Sequence, residues 1–324
     1  MRKLKYVVLA LVVVVTLGLW SFAFAKFPER PVTLVCPFGV GSASDTFVRA
    51  LKEPLSRALG VPVVIVNVEG GGGLKGLVYA AQQPADGYTL FQFTPSHIIA
   101  SVLKRSEYDL FNDFVVLGRG DDDIYALVVS PKGEFNTFKD LLEWAKKNPY
   151  ALTMGGVSPM GLDEFVTRVF AKKFGINVTF VPFESGSQAF TALMGGHIKA
   201  MLYKMESVAP QVASGAVKPL LVMTPERIND PLWKDVPCVK EFGVEMYIGS
   251  FRAFAVRKGA PEEAIKVLEA AIKDAVNSPE FKEYIKKLGS IPRGGYMGPA
   301  EFAKYMEDAK VMFTEIAKEF GYLK

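Results

Sequence analysis

Glycine-rich turns that directly follow short apolar segments constrain the fold of this chain more than any other feature. Residues 37–45 (PFGVGSASD) follow the apolar segment 32–36, and residues 67–76 (NVEGGGGLKG) follow the apolar segment 63–66. Turns of this kind expose backbone N–H groups beside a helix N-terminus, where partial positive charge gathers. The two turns therefore predict an anion-binding edge in an α/β fold.

Strand and helix patterns alternate around these turns. Apolar residues at three- and four-residue spacing predict a helix over 45–59, with a kink at Pro54 and an end at Gly60. A short helix over 74–82 and a strand over 88–93 follow. Three strands joined by helices indicate a parallel, doubly wound sheet.

A second α/β unit follows the three aspartates at 121–123 and repeats the arrangement of the first. Its predicted strands cover 124–129, 152–156 and 178–183, and its glycine turns cover 156–161 and 184–187. A strand over 251–256 and two further helices complete the chain. This layout predicts two lobes, residues 26–122 with 251–324 and residues 123–250. Each lobe is expected to be a doubly wound sheet flanked by helices, with two crossing strands as the hinge.

The first 25 residues have the features of a secretory signal peptide. A basic segment with Arg2, Lys3 and Lys5 precedes the apolar stretch 7–20, and residues 23–25 (AFA) form a small-x-small cleavage pattern. An uncleaved membrane anchor is the alternative, because the apolar stretch is near the short end of spanning length. Either interpretation places the folded part outside the cytoplasm, as a soluble, periplasmic protein if the leader is removed.

The charge balance argues against a nucleic-acid partner. The chain has 38 Lys and Arg against 34 Asp and Glu, and the leader holds three of the basic residues and no acid, so 35 against 34 remain after cleavage. A net charge near zero gives no support to nucleic-acid binding. Two cysteines are too few for a disulfide framework, and Cys36 is expected to be a buried free thiol.

The chain lacks the residue patterns of common hydrolases and metal sites. No Gly-x-Ser-x-Gly, His-Glu-x-x-His or Cys-x-x-Cys pattern occurs. His197 is expected in a solvated turn, whereas His97 is expected either to serve a helix start or to contact a ligand. Residues 121–123 lack the spacing of a calcium loop and are expected in a solvated loop beside the hinge. We therefore predict no enzyme activity, no cofactor and no metal site.

The first turn also carries part of a dinucleotide-binding fingerprint. Gly39 and Gly41 follow a strand and precede a helix, and Glu69 closes the second strand, where a ribose-binding acid would stand. Ser44 occupies the position of the third glycine, so the match covers two glycines only. This departure, together with an exported location, argues against a dehydrogenase.

Five motifs, in a consistent order, resemble those of the tripartite tricarboxylate transporter substrate-binding receptors, the TctC/Bug family. Residues 37–45 resemble their Pro-Phe-x-x-Gly-Gly-x-x-Asp loop, and Asn67 with residues 70–73 resembles their Asn-x-Pro-Gly-Ala-Gly-Gly segment. Residues 86–90 (DGYTL) equal a family stretch. Residues 181–186 with 193–196 resemble Val-Pro-Tyr-x-Gly with Leu-x-Gly-Gly, and residues 259–261 resemble an Ala-Gly-Thr-Pro-type turn. The resemblance extends from about residue 27 to the C-terminus.

The resemblance implies a periplasmic binding protein of type II, a two-lobed Venus flytrap that closes on a small mono-, di- or tricarboxylate. It also implies a monomer that passes the carboxylate to membrane transporter subunits. A ligand-sensing receptor for a signalling partner and an exported enzyme on the same fold are the alternatives. The ligand-binding residues implied by the resemblance are Phe38, Gly39, Val40, Gly41, Ser42, Asp45, Gly71, Gly72, Gly73, Thr94, Ser96, Gly156, Ser158, Ser185, Gly186, Ser187, Tyr203 and Lys204.

Departures from the family pattern bear on the ligand. Ser42 replaces a second glycine, Glu69 replaces a frequent proline, and Phe251 stands where many members have Trp. Tyr203 and Lys204 occupy a stretch that often reads Asp-Asn. The chemistry of the cleft is therefore expected to differ from that of many relatives.

Three charged residues keep two interpretations each. Lys204 and Arg252 are expected either to meet a second carboxylate of the ligand or to be solvated surface cations. Asp45 is expected either to cap its own helix or to contact the ligand.

Overall fold

The chain folds into two five-stranded sheets with helices packed on their faces. The computed structural model describes residues 27–157, 159–246, 249–287 and 295–323. The predicted signal peptide, residues 1–25, and the predicted ligand residue Ser158 lie outside the described residues. The two sheets confirm the α/β architecture that the alternating pattern predicts.

The first sheet has the strand order β2-β1-β3-β10-β4. Its strands are β1 (Val32–Cys36), β2 (Val63–Asn67), β3 (Thr89–Phe93), β4 (Phe114–Asp123) and β10 (Ser250–Arg257). As predicted, β1, β2 and β3 are parallel. The sheet as a whole is mixed, because β10 lies between β3 and β4 and runs antiparallel to both.

The second sheet has the order β7-β6-β8-β5-β9. Its strands are β5 (Tyr125–Val129), β6 (Leu152–Val157), β7 (Val178–Phe183), β8 (Ala200–Lys204) and β9 (Lys218–Val222). β6, β7 and β8 are parallel, whereas β5 runs antiparallel to β8 and β9. The order β7-β6-β8 repeats the order β2-β1-β3, so the two sheets share one arrangement.

The helices connect and cover these strands. In chain order they are α1 (Ala43–Leu59), α2 (Leu74–Gln82), α3 (Pro95–Val102), α4 (Leu110–Asp113), α5 (Phe138–Lys147), α6 (Leu162–Phe174), α7 (Gly186–Met194), α8 (Met205–Ala213), α9 (Glu262–Asn277), α10 (Pro279–Lys287) and α11 (Pro299–Glu319). α1 begins after its N-cap Ser42, continues through Pro54 as one helix and ends at the left-handed Gly60. Its apolar stripe is buried, as its periodicity predicts.

Both faces of the central strands β1 and β5 are buried. Alternate residues of β1 contribute to different apolar clusters: Val35 joins a core that includes both sheets, and Leu34 joins a core beneath α1 and α9. Alternate residues of β5 behave in the same way, with Leu127 in the shared core and Ala126 in a third cluster. Strands covered on both faces expose only their ends to a ligand.

Each sheet has one topological switch point. β1 connects through α1 to β2 on one side, and β2 connects through α2 back to β3 on the other side of β1. β6, β7 and β8 repeat this path in the second sheet. Ligands of open α/β sheets bind outside the carboxyl ends of the strands at such a point. The switch points lie between β1 and β3 and between β6 and β8.

The carboxyl edges of the two sheets face each other. β4 ends at Asp123 and β5 begins at Tyr125, so Ile124 alone links the sheets at this crossing. β3 and β4 are both antiparallel to β10, so β4 ends at the same edge as β1 and β3. β5 is antiparallel to β8, so it begins at the edge where β6 and β8 end. A cleft between the two switch points follows from this connection.

The C-terminal helix α11 contacts both halves of the molecule. Near its start, Phe302 packs against Phe93 of β3 and Phe251 of β10. Near its end, Phe313 packs edge-on against Phe165 of α6. α11 therefore runs from the first sheet to a helix of the second.

Candidate functional site

The predicted glycine turns lie at the two facing edges. Residues 37–42, 68–73 and 94–97 follow β1, β2 and β3, and residues 184–187 and 205–206 follow β7 and β8. The structure brings Phe38–Ser42, Gly71–Gly73, Thr94 and Ser96 to the edge of the first sheet, and Ser185–Ser187, Tyr203 and Lys204 to the edge of the second. Gly156 lies inside β6 and is buried.

Asp45 holds the first glycine turn in place. Its Oδ2 accepts hydrogen bonds from the Gly41 N–H and from Nε of Arg49, both at 2.8 Å, and its Oδ1 accepts one from Nδ2 of Asn67 at 2.9 Å. Ser42, not Asp45, is the N-cap of α1. Burial raises the pKa of Asp45, but these donors outweigh that effect and hold the pKa below its usual value. Only 1 % of the surface of Asp45 is exposed, so it supports the first glycine turn from the protein interior.

The second turn requires glycine at four successive positions. Residues 70–73 have φ values of +128°, +62°, +70° and +99°, in the region that L side chains rarely adopt. A Cβ on Gly73 would lie 2.7 Å from Nε2 of His97 and 3.4 Å from Cζ of Phe38. The turn is therefore fixed by conformation and by close packing against the first turn.

His97 supports the second turn from the end of β3. The Thr94 N–H donates to Nδ1 of His97 at 3.1 Å, so the ring proton is on Nε2, which lies 3.3 Å from the Gly73 carbonyl oxygen. Burial lowers the pKa of His97 to about 4, although the bonds to Gly73 and Thr94 act in the opposite direction. Of the two roles left open, the structure shows the helix-start role, because Thr94 and His97 form the capping box of α3.

Glu69 brings a negative charge to the first turn. A Cβ on Gly39 would lie only 2.2 Å from Oε2 of Glu69, so the carboxylate rests directly against that glycine. The Glu69 side chain is exposed. The Glu69 carboxylate, which is exposed to water, would therefore repel an anion that approaches the first turn.

Lys204 is placed at the switch point of the second sheet. It is the last residue of β8, and its Nζ lies 2.8 Å from Oδ1 of Asp163. Burial lowers the pKa of Lys204, but the attraction of Asp163 outweighs it and raises the pKa above its usual value. Its side chain is 19 % exposed, so it is not the solvated surface cation of one interpretation.

The Asp163 carboxylate accepts hydrogen bonds from three donors, of which Lys204 is one. Oδ1 also accepts from the Tyr125 hydroxyl at 2.9 Å, and Oδ2 accepts from the Val157 N–H at 2.9 Å. The Asp163 side chain is only 2 % exposed. Lys204 has three N–H donors, of which the Asp163 bond uses one. This end of the cleft therefore offers hydrogen-bond donors and a positive charge.

The three aspartates at 121–123 were expected in a solvated loop, and this prediction is wrong. They form the end of β4 and are 4 %, 2 % and 2 % exposed. Nη1 of Arg119 lies 3.1 Å from Oδ2 of Asp122, and the Glu206 N–H donates to both oxygens of Asp123 at 3.3 Å. Arg119 of the same strand and the first turn of α8 supply donors that water would supply in a loop.

Arg252 is also buried, which excludes the solvated interpretation. Its guanidinium lies 3.0 Å from Oδ2 of Asp121 and 2.5 Å from Oε2 of Glu206, and its side chain is 3 % exposed. Burial, together with the neighbouring Glu206 carboxylate, raises the pKa of Asp123 well above its usual value. No known sequence motif predicts this buried cluster. The one sequence feature that could have indicated it is a run of acids that ends an apolar strand.

The predictions for Cys36 and His197 are confirmed. Cys36 is a buried free thiol, and burial raises its pKa to about 11. His197 is exposed in the turn after α7.

Within the described ranges, no group of three or more His, Cys, Asp or Glu side chains is arranged to hold a metal ion. Among the same residues, no helix is both long and apolar enough to cross a membrane.

A cavity of about 430 Å³ lies between α6 and α11 and is distinct from the glycine turns. Its charged lining residues are Lys172, Lys173, Glu245, Asp308, Glu315 and Glu319, so acids outnumber bases. Apolar side chains such as Met246, Met312 and Phe313 form much of the remaining wall. An anion is better matched by the donors of the turns than by this cavity.

Comparisons with known proteins agree with the fold. The model of the tripartite tricarboxylate transporter family receptor matches residues 47–321. Protein BugT of Bordetella pertussis is 27 % identical over 270 residues, which cover 82 % of each chain. A solved R. palustris protein with adipate is 26 % identical, with a TM-score of 0.79 over 91 % of this chain and 98 % of its own. The periplasmic binding protein BugD has the same fold, with 24 % identity and a TM-score of 0.79 over 91 % of this chain and 99 % of its own.

Proposed function

The chain belongs to the tripartite tricarboxylate transporter receptor family, and on this premise we propose that it binds a small organic carboxylate in the cleft between its two sheets. The observation that carries the proposal is the placement of both switch points at facing edges joined by Ile124. Glycine turns lie at the first edge, beside the N-termini of α1 and α2, and a cation lies at the second. A carboxylate ligand complements both.

One carboxylate of the ligand is bound by the turns of the first sheet. We assign this role to Phe38, Gly39, Val40, Gly41, Ser42, Gly71, Gly72 and Gly73, with Thr94 and Ser96 beside them. Asp45 and His97 keep these turns in shape but do not touch the ligand. A hydrogen bond to a charged group contributes about 1.5–3 kcal/mol, so a few N–H donors supply much of the roughly 8 kcal/mol of micromolar binding.

The second sheet binds the other end of the ligand. Gly156, Ser158, Ser185, Gly186, Ser187 and Tyr203 form its wall in the proposal, and Lys204 is the charged member. Because the Asp163 oxygens are already occupied and buried, this end has donors to offer and few acceptors. We infer that it prefers a second carboxylate and disfavours an ammonium group. The R. palustris relative with adipate, a molecule with two carboxylates, supports this inference.

We propose a transport role that is supported by the family to which the chain belongs. The receptor works in the periplasm after its leader, residues 1–25, is removed, as a monomer without cofactor or catalytic activity. Residues 26–122 with 251–324 form one lobe and residues 123–250 the other, and the lobes close on the ligand. The closed form delivers the carboxylate to the membrane subunits of a tripartite tricarboxylate-type transporter.

A thermal-unfolding screen tests carboxylate binding and the role of Lys204 together. Adipate and hexanoate have the same chain length but two carboxylates and one. At one hundred times its dissociation constant, adipate is expected to raise the unfolding temperature by about 5 °C. Hexanoate is expected to have a smaller effect at the same concentration. Carboxylates of several lengths that all leave the folded protein's unfolding temperature unchanged would contradict the proposal.

A matched pair of lysine variants separates the cleft from general charge effects. Lys204→Met is expected to weaken adipate binding at least tenfold, because the second carboxylate loses its charged partner. Lys199→Met removes a surface lysine that directly precedes β8 and pairs with Glu134, and is expected to bind adipate like the wild type. Equal affinities of the two variants would exclude Lys204 from the site.

A further inference from the structure

Met160 adopts a left-handed backbone conformation at the edge of the second sheet. Its φ is +54°, and it lies between the end of β6 and the start of α6, beside the second switch point. A non-glycine residue in this region costs roughly 1–2 kcal/mol. Such a conformation persists only where the surrounding structure fixes it, and ligand clamps are common places for it.

Glu164 is the side chain that fixes Met160. Its Oε2 accepts a hydrogen bond from the Met160 N–H at 2.8 Å. Glu164 lies in the first turn of α6, and only 5 % of its surface is exposed. Its carboxylate therefore has little freedom to leave the Met160 amide unless its other partners move.

Tyr322, after the end of α11, holds Glu164 from the opposite side. Its hydroxyl donates to Oε1 of Glu164, and Nε of Arg168 donates to the same oxygen at 2.9 Å. Burial raises the pKa of Glu164, but the bonds from Tyr322, Met160 and Arg168 outweigh it and keep the pKa below its usual value. The carboxylate is thus ionised and shared between the turn and the C-terminal segment.

The ring of Tyr322 is itself firmly seated. It stacks on Phe165 with 5.7 Å between ring centroids, and the Arg168 guanidinium lies 5.5 Å from its centroid and 4.9 Å from that of Phe320. α11, which precedes it, begins on the first sheet through Phe302. The C-terminal segment therefore links the first sheet to the turn after β6.

We propose that Tyr322 is a positioning residue which, through Glu164, holds Met160 in its left-handed conformation and so sets the second-sheet wall of the ligand cleft. The statement about the cleft rests on the proposed function. The link from Tyr322 to Met160 rests on the hydrogen bonds alone. The C-terminal segment thereby becomes part of the binding apparatus without touching the ligand.

Hydrogen–deuterium exchange of the peptide that contains Met160 tests the link directly. Tyr322→Phe keeps the stacked ring and removes only the hydroxyl. The Met160 amide is expected to exchange about tenfold faster in this variant, because a bond to a charged group is lost. Glu164→Gln is expected to accelerate the same amide at least as much, because the charged acceptor itself is removed. Glu319→Gln breaks the ion pair of the same helix end with Lys172 and is expected to leave exchange at Met160 unchanged.

Calorimetric titration with adipate tests the consequence for the cleft. Tyr322→Phe is expected to weaken binding three- to tenfold while its unfolding temperature stays close to that of the wild type. Wild-type exchange at Met160 in Tyr322→Phe would overturn the proposal. Faster exchange with unchanged adipate affinity would overturn its second half, the role in the cleft. Failure of adipate to bind the wild type would contradict the proposed function, and exchange alone would then decide whether Tyr322 holds Met160.

Discussion

Arg252 and Glu206 form a buried ion pair that joins the two halves of the molecule. Nη2 of Arg252, in β10 of the first sheet, lies 2.5 Å from Oε2 of Glu206, in the first turn of α8 directly after β8 of the second sheet. Asp121 shares the same guanidinium at 3.0 Å. The pair lies next to the Ile124 crossing, since Asp123 of β4 accepts the Glu206 N–H. The geometry of the cleft therefore depends on a charged cluster that is almost fully excluded from water.

Replacement of Arg252 by methionine is expected to destabilise the protein strongly. The change leaves Asp121 and Glu206 buried without their cation, which costs about 3–5 kcal/mol for a pair of this kind. Arg227→Met removes an arginine from the exposed pair with Glu241 and is expected to cost less than about 1 kcal/mol. Urea unfolding at neutral pH measures both. Similar losses for the two variants would contradict the buried role of Arg252.

His97 is expected to make the protein sensitive to acid. Its folded pKa of about 4 lies below the ordinary 6.5, so the unfolded chain binds more protons between these values. The contribution of His97 to stability is complete above pH 6.5 and is lost as pH falls towards 4, about 3 kcal/mol in total. His97→Gln removes this slope, whereas His197→Gln, at an exposed position, keeps it. A wild-type pH slope in His97→Gln would contradict the account.

Gly73→Ala is expected to damage both the fold and the site. The new Cβ would meet Nε2 of His97 at 2.7 Å in a backbone conformation with φ of +99°, so the change costs about 2–4 kcal/mol and weakens carboxylate binding more than tenfold. Gly60→Ala, with φ of +72° and open space around its Cβ, is the control and costs about 1 kcal/mol. Chemical unfolding and titration with adipate measure the two effects. Equal behaviour of the two alanine variants would show that the contact with His97 is unimportant.

Glu69→Gln is expected to tighten carboxylate binding. The Glu69 carboxylate rests against Gly39, where it repels an incoming anion, so its neutralisation improves affinity roughly three- to tenfold at low salt and less at high salt. Glu53→Gln makes the same change in net charge on the exposed face of α1 and is expected to leave the affinity unchanged. Weaker binding in Glu69→Gln would show instead that this carboxylate contacts a donor group of the ligand.

Local patterns were sufficient for much of the fold. α2 and β7 have the predicted bounds, Leu74–Gln82 and Val178–Phe183, because apolar periodicity and flanking glycines define both elements within a few residues. The same glycines mark the turns at the switch points. These features depend on residues that are close together in the sequence, so they can be predicted from the sequence alone.

The buried charges could not be predicted in the same way. Three successive aspartates favour solvent unless cations reach them, and Arg252, the partner of Asp121, lies 131 residues further along the chain. The insertion of β10 between β3 and β4 depends on the same long-range pairing. The sequence likewise allows Lys204 to be a surface cation, because its partner Asp163 lies 41 residues away along the chain.

A crystal structure of the protein with bound adipate tests the central claim most directly. We expect one carboxylate at hydrogen-bond distance, about 3 Å, from backbone N–H groups of residues 39–40 or 71–72, and the other at the same distance from Nζ of Lys204. Adipate in the cavity between α6 and α11, or in contact with one sheet only, would contradict the account.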